Sequence, residues 1–298
     1  MYYLYAKIAY ICVCMKTLTT LIWCLFVAKL TFSVTVYDTL YINKAPYTLG
    51  SFTFQACVFN DSVNFKLENV IIELNEGDDL QLHVVNNDIL EHTFTVDGIV
   101  DANNNIPAGG VKDFSLSFTT IGAYRFYSDK FYGKHLGASS IIMYGYENYP
   151  RYYWNMFEQS ASLSQDIATQ QVNTIPFTYQ PDIFTINLKV YPDLENDIHA
   201  KINQQVGDTI YITVLNSGKM FHTLHFHGYH VEIITASINS KYNGWSKDSF
   251  GILIDEILLL RLVPDQPGLF PVHEHNLINV TTNGVYLGGM LNLLNIQP

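Results

Sequence analysis

The chain has 298 residues, a formal net charge of −11, and modest charge content with many aromatic residues, 14% of each. That length has room for about two domains. The acidic balance excludes nucleic acid as a partner, because phosphate binding needs a basic surface. The wealth of Tyr, Phe, Ile, Leu and Val suits β structure around a substantial core.

In chain order, the first segment stands apart. From Met15 the chain reads Lys16, then the apolar run Leu18 to Ala28, then Leu30-Thr31-Phe32-Ser33. This is the basic start, apolar centre and small-residue end of a secretory signal, so residues 1–33 are expected to be a signal peptide. A retained anchor made from both apolar pieces is the rival reading, although Lys7, Lys16 and Lys29 leave no uncharged run near the ~18 residues a membrane helix needs. Once the signal is removed, no membrane span is expected, and the location is secreted, extracellular or periplasmic. Residues 1–33 hold three lysines and no acid, so their loss moves the net charge from −11 to −14. It also leaves Cys57 alone, so no intrachain disulfide can form. Asn60-Asp61-Ser62 and Asn279-Val280-Thr281 are sequons that predict a glycoprotein on a eukaryotic secretory route.

The remainder reads as two similar halves. Apolar stretches near 68–74 and 80–86 flank Asn75-Glu76-Gly77-Asp78-Asp79, and Lys201 to Val206 and Thr209 to Leu215 flank Gly207-Asp208. Next come His92-Thr93-Phe94 and His222-Thr223-Leu224. Each half then has a sheet-like stretch with a Gly turn, 120–127 and 265–272, and closes on an apolar strand, 139–144 and 290–294. An internal duplication of a β-sandwich explains this order. The predicted domains are 34–147 and 183–298. Residues 148–182 form a partly helical linker packed over the first domain, with a helix within Asn155 to Val172 and an extended run around Pro176 and Pro181.

Ten histidines occur in the sequence, and six lie between His222 and His275. Side chains alternate faces along a strand, so His225 and His227 point one way, as do His273 and His275. If the two segments are neighbours, four imidazoles converge, and imidazole is the commonest metal ligand. Such a set suits copper or zinc better than magnesium or calcium. His222 is either a ligand or a buried residue bonded to Glu274, and His230 falls out of phase and is read as structural.

The motif His222-Thr-Leu-His225-Phe-His227-Gly228, answered by His273-Glu274-His275, resembles the copper motifs of multicopper oxidases, including their ceruloplasmin, laccase and copper nitrite reductase branches. The resemblance covers about 38–298 and implies an all-β fold of two tandem cupredoxin-like Greek-key sandwiches. It implies copper, with His222 on a mononuclear blue copper, His225 on a type 2 copper, and His227, His273 and His275 on a type 3 pair. It also implies a homo-oligomer, since related two-domain proteins are trimers with copper at the junction between subunits. The departures are specific. Glu274 stands where the family has the blue-copper Cys, and Asn279 stands where it has a second His. In the first half, Thr95 and Asp97 replace motif histidines, and Phe126-Tyr127-Ser128-Asp129 replaces the later motif. A single-domain blue site built on His92 and His135 would have Ser128 for its Cys and Ala138 for its Met.

Without the thiolate, a blue copper and its electron path are not expected. The sequence therefore points to a secreted copper oxidoreductase of unknown substrate, with a reduced centre at His225, His227, His273 and His275. Glu274 is a candidate for proton transfer, and Asp97 and Asp129 are candidate donors to the metal or its surroundings. A non-catalytic copper or zinc binder and an inert adhesive sandwich are the alternatives. The bland reading of His92 is a core histidine bonded to backbone.

Overall fold

The computed structural model describes residues 34–282 and 284–298; the expected signal peptide lies outside the described residues. The strands are β1 (Thr35–Leu49), β2 (Phe52–Asn60), β3 (Ile72–Leu74), β4 (Asp79–Asn86), β5 (Thr95–Val96), β6 (Val111–Ser117), β7 (Gly122–Tyr127), β8 (Ser139–Tyr144), β9 (Arg151–Gln159) and β10 (Ile183–Ile186). They continue as β11 (Ile202–Gln205), β12 (Ile210–Asn216), β13 (His222–Phe226), β14 (Val231–Ala236), β15 (Ser246–Lys247), β16 (Ser249–Ile252), β17 (Ile257–Leu262), β18 (Gly268–Glu274) and β19 (Leu291–Gln297). Two short helices, α1 (Phe131–Lys134) and α2 (Ala161–Ala168), lie among them.

Among the described residues the strands form four sheets, ordered β2-β1-β4-β6, β3-β8-β7-β5, β10-β9-β12-β17-β14-β15 and β11-β19-β18-β13-β16. The duplication is visible in the pairing. The parallel pairs β1·β4 and β3·β8 in the first half recur as β9·β12 and β11·β19 in the second. The fold is thus the predicted all-β arrangement of cupredoxin-like sandwiches.

Strands buried on both faces lose the usual polar alternation. On β8, Ile142 and Tyr144 join the core of the first sandwich, while Ile141 and Met143 point the other way. They meet Tyr211 and Leu215 of β12 and Ile257 and Leu259 of β17, whose alternate residues Ile212, Val214, Leu258 and Leu260 fill the second core. The four sheets are therefore stacked, with the second and third sheets in mutual contact and the last sheet at one end.

The segment expected to be linker differs from its prediction. Residues 151–159 form β9, which pairs with β12 inside the second sandwich, because Tyr152, Trp154 and Met156 alternate toward that core. The helix is limited to Ala161–Ala168, capped by the Ser160 side chain accepting from Leu163 N–H. It packs over the first sandwich, where Gln55 N–H donates to Ser164 Oγ at 3.0 Å.

Both sequon asparagines are buried, which counts against the expected glycosylation. The Asn60 amide donates to the carbonyls of Lys66 and Glu68, at 3.0 and 2.8 Å. A glycan on it would replace one of these two N–H donors and need space that the buried site lacks. No helix among the described residues is long and apolar enough to cross a membrane.

Candidate metal centre

Strands β13 and β18 lie antiparallel, with His225 opposite His273 and Leu224 opposite Glu274. Residues opposite one another share a face, so one face of this pair carries Thr223, His225 and His273, and the other carries His222, Leu224, Phe226 and Glu274. The second group is buried. The first faces outward at the end of the stack, with His227 and His275 exposed and His225 and His273 half-buried.

The four predicted imidazoles do meet. The His225 ring lies 4.7 Å from that of His227 and 5.6 Å from those of His273 and His275, and His227 and His273 are 5.1 Å apart between centroids. The shortest approach joins His227 Nε2 to His273 Nε2, 3.0 Å apart. Gly228 lets the chain turn immediately after His227. Its φ is +76°, and a Cβ there would sit 2.5 Å from the Phe270 ring.

Each ring's second nitrogen decides what the first can do. Nδ1 of His273 donates to the Glu274 carbonyl at 2.8 Å, which leaves its Nε2 lone pair directed at the cluster. Nδ1 of His225 is 2.7 Å from Ser249 Oγ and 3.3 Å from the Asp248 carbonyl oxygen. Desolvation, reinforced by His225 and His273, holds His227 below the ordinary imidazole range. Three exposed apolar residues border the cluster: Leu269 on the same face of β18, and Leu277 and Ile278 just beyond His275. Among the described residues of this chain, no group of three or more His, Cys, Asp or Glu side chains is closed around a single point as a ready-made metal site.

The remaining candidates fall elsewhere. His222 is fully buried, but its partner is Glu158 of β9 at 3.0 Å, not Glu274, whose Oε1 is 4.0 Å from Nδ1. Glu274 itself points into the sandwich, away from the cluster, against the proton-transfer role suggested by sequence. Burial raises its carboxyl above the usual range, even though the Thr223 and Asn276 N–H groups and His222 favour the charged form. Asp97 is tied to Arg125 at 2.9 Å. Arg125 in turn pairs with Asp255 of the second half, and Lys134 reaches the same carboxylate at 2.5 Å. This network bolts the two sandwiches together and gives Asp97 a structural use. Asp129 is exposed, with its N–H donated to Thr93 Oγ1 at 2.7 Å. His230 is exposed.

In the first sandwich the blue-copper position is filled by hydrogen bonds. His92 Nδ1 is 3.0 Å from Ser128 Oγ and its Nε2 is 2.9 Å from Asp88 Oδ2, which also receives Lys44 Nζ at 2.7 Å. His92 is thus a core histidine, as expected, but bonded to side chains instead of backbone. Burial lowers its pKa despite Asp88. Burial alone would raise Asp88, but the bonds from His92 and Lys44 hold it below its ordinary range. Cys57, the free thiol among the described residues, is buried with Sγ 4.0 Å from His92 Nε2, and desolvation pushes its pKa up.

Residues 164–288, spanning both β13 and β18, match the family model described as multicopper oxidase. That stretch is similar to the multicopper oxidases. The chain's fold is similar to that of the blue copper oxidase from Nitrosomonas europaea, with a TM-score of 0.72, 19% identity, and coverage of 88% of this chain and 86% of that one. It is similar also to the copper nitrite reductase of the same organism, with a TM-score of 0.65 and 16% identity over 89% of this chain and 94% of that one. The laccase from Botrytis aclada gives a TM-score of 0.65 at 14% identity, with 88% of this chain covering 53% of it. No curated protein matches the sequence. The first two of these relatives are named as copper proteins, and none of the three is named for zinc.

Sequence reading missed Ser249, Glu158, Asp88 and Lys44. Ser249 becomes a neighbour of His225 through strand pairing across 24 positions of sequence, and Glu158 a neighbour of His222 through the packing of two sheets across 64. One signal was present: a glutamate within the apolar run Tyr152 to Phe157 and its flank is costly to bury without a partner.

Proposed function

We propose that this chain is a secreted copper protein and oxidoreductase whose metal is held by His225, His227, His273 and His275. The observation that carries the reading is the approach of His227 Nε2 and His273 Nε2 to 3.0 Å. Four imidazoles would offer nitrogen donors of a kind that copper favours, so the chemistry of the donor set suits copper.

Copper, when bound, supplies one-electron exchange between Cu(I) and Cu(II). The chain's own residues do the rest. Ser249 and the Glu274 carbonyl fix which imidazole nitrogen faces outward, and the strand pairing holds His225 opposite His273. Ser128 and Glu274 occupy the two positions where a relative would carry a thiolate, so electrons have no thiolate route into this centre. An electron donor must therefore reach the exposed cluster directly. The apolar border of Leu269, Leu277 and Ile278 supports a second copy covering this face, in a homo-oligomer of which a trimer is the form the resemblance implies.

Copper titration followed by electron paramagnetic resonance, with oxygen uptake measured on phenols, diamines and ferrous iron, tests the reading. The expected result is a Cu(II) signal that is lost in the His225→Ala/His273→Ala double variant, together with oxygen uptake. A protein that takes up no copper sinks the proposal. Copper uptake without oxygen consumption would make it a non-catalytic copper binder.

A further inference from the structure

Glu274 ends β18 between His273 and His275, and the residue is 2% exposed. Its carboxylate is bonded on both oxygens. Oε1 accepts the Thr223 N–H at 2.9 Å, and Oε2 accepts the Asn276 N–H at 2.7 Å. The Thr223 carbonyl meanwhile accepts the His275 N–H at 2.7 Å. Thr223 of β13 is therefore gripped on both sides, its N–H by the Glu274 side chain and its carbonyl by the backbone of the residue after Glu274.

The consequence lies on the opposite face. By holding Asn276 N–H and Thr223 N–H together, the carboxylate fixes the turn through 274–276 as β18 leaves the ladder. That turn sets the direction of the Glu274 carbonyl, which accepts His273 Nδ1–H at 2.8 Å. It also sets the point from which His275 projects beside His225. We propose that Glu274 is a positioning residue: its buried carboxylate selects the His273 tautomer whose Nε2 faces the cluster, and sets the placement of His275. In this chain a carboxylate clamp on two amide donors thus stands where a thiolate would bind metal. The inference rests on the copper-binding reading of the four histidines, but it concerns the metal-free chain as well.

The test compares wild-type protein with Glu274→Gln, which puts an amide NH₂ against one of two N–H donors. Asn276→Pro serves as a second variant. It removes the N–H that Oε2 accepts, and the Asn276 φ of −76° is one proline adopts. Three quantities are read: nitrogen-15 shifts of His273 in metal-free protein, the Cu(II) hyperfine pattern and affinity, and the thermal midpoint. The expected outcome is a changed His273 tautomer balance in both variants and a copper affinity reduced about 10- to 100-fold. An unchanged tautomer and copper spectrum, with only a lowered midpoint, would reduce Glu274 to a structural role and overturn the inference. If wild type binds no copper, the copper reading fails by itself, and the tautomer measurement still decides the role of Glu274.

Discussion

Glu158 and His222 meet at 3.0 Å with both side chains fully buried, joining the first strand of the second sandwich to the strand that carries the metal motif. The Glu158 carboxylate also accepts the Lys219 N–H, and Lys219 Nζ donates to the Glu158 carbonyl at 3.1 Å. A buried carboxylate is tolerated only with such partners.

Removing one partner from this pair is expected to be costly. His222→Leu should lower stability by about 3–5 kcal/mol, because it leaves Glu158 without its imidazole in the interior. The double variant Glu158→Leu/His222→Leu should cost less than His222→Leu alone. Urea denaturation of wild type, both single variants and the double variant measures the difference, and losses that simply add would mean that the pair is not coupled.

Ser249→Ala should weaken copper binding about tenfold without changing the fold, since the hydroxyl that orients His225 Nδ1 is lost while strand pairing stays. Competitive copper titration with an unchanged far-ultraviolet spectrum would bear this out. An unaltered affinity would show that the Asp248 carbonyl, 3.3 Å from the same nitrogen, orients His225 unaided.

Copper-loaded protein should show no intense blue thiolate band. Oxygen side chains stand at Ser128 and Glu274, and Cys57 lies beside an imidazole nitrogen already bonded to Asp88. Visible absorption of the loaded protein decides this, and a strong band near the usual blue-copper position would contradict the assignment.

Gly133→Ala should destabilise the first sandwich. A Cβ there would sit 2.6 Å from Ser128 Oγ and 3.0 Å from His92 Nδ1, inside the network that fills the blue-copper position. Overpacking of this kind costs about 1–3 kcal/mol, which a thermal scan would resolve. An unchanged midpoint would show that α1 shifts freely.

Acid sensitivity should involve His135. Desolvation, with Lys219 and Lys134 adding to it and Asp255 opposing, lowers its pKa from 6.5 to about 3. The folded state thus refuses a proton that the unfolded state accepts below about 6.5, so this residue's contribution to stability falls as pH drops from 6.5 to about 3. His135→Phe should flatten the pH dependence of the unfolding midpoint in that window. An unchanged slope would place the acid sensitivity elsewhere.

Much of this arrangement was legible because strand periodicity is short. The alternation of His225 with His227 and of His273 with His275 predicted their common face, and the duplicated order of strands predicted paired sandwiches. What was not legible depends on which strands become neighbours. Tyr152, Trp154 and Met156 read as linker until β9 is seen beside β12. Glu158, placed by sequence on a helix, is instead the buried partner of His222. Asp97 looked like a donor because its position matches a lost histidine, and only the packing of the sandwiches reveals Arg125 and Asp255 around it.

The four-sheet stack has unlike ends: the histidine face closes one, and the sheet of β1, β2, β4 and β6 closes the other. In the assembly proposed above, a copy that covers the histidine face of its neighbour with any other surface makes a head-to-tail contact, not a self-complementary one. Such a contact ends only if successive rotations return to the first copy. Ring closure would then govern solubility as well as metal binding, since an unclosed chain of copies leaves an apolar border and free imidazoles at its growing end.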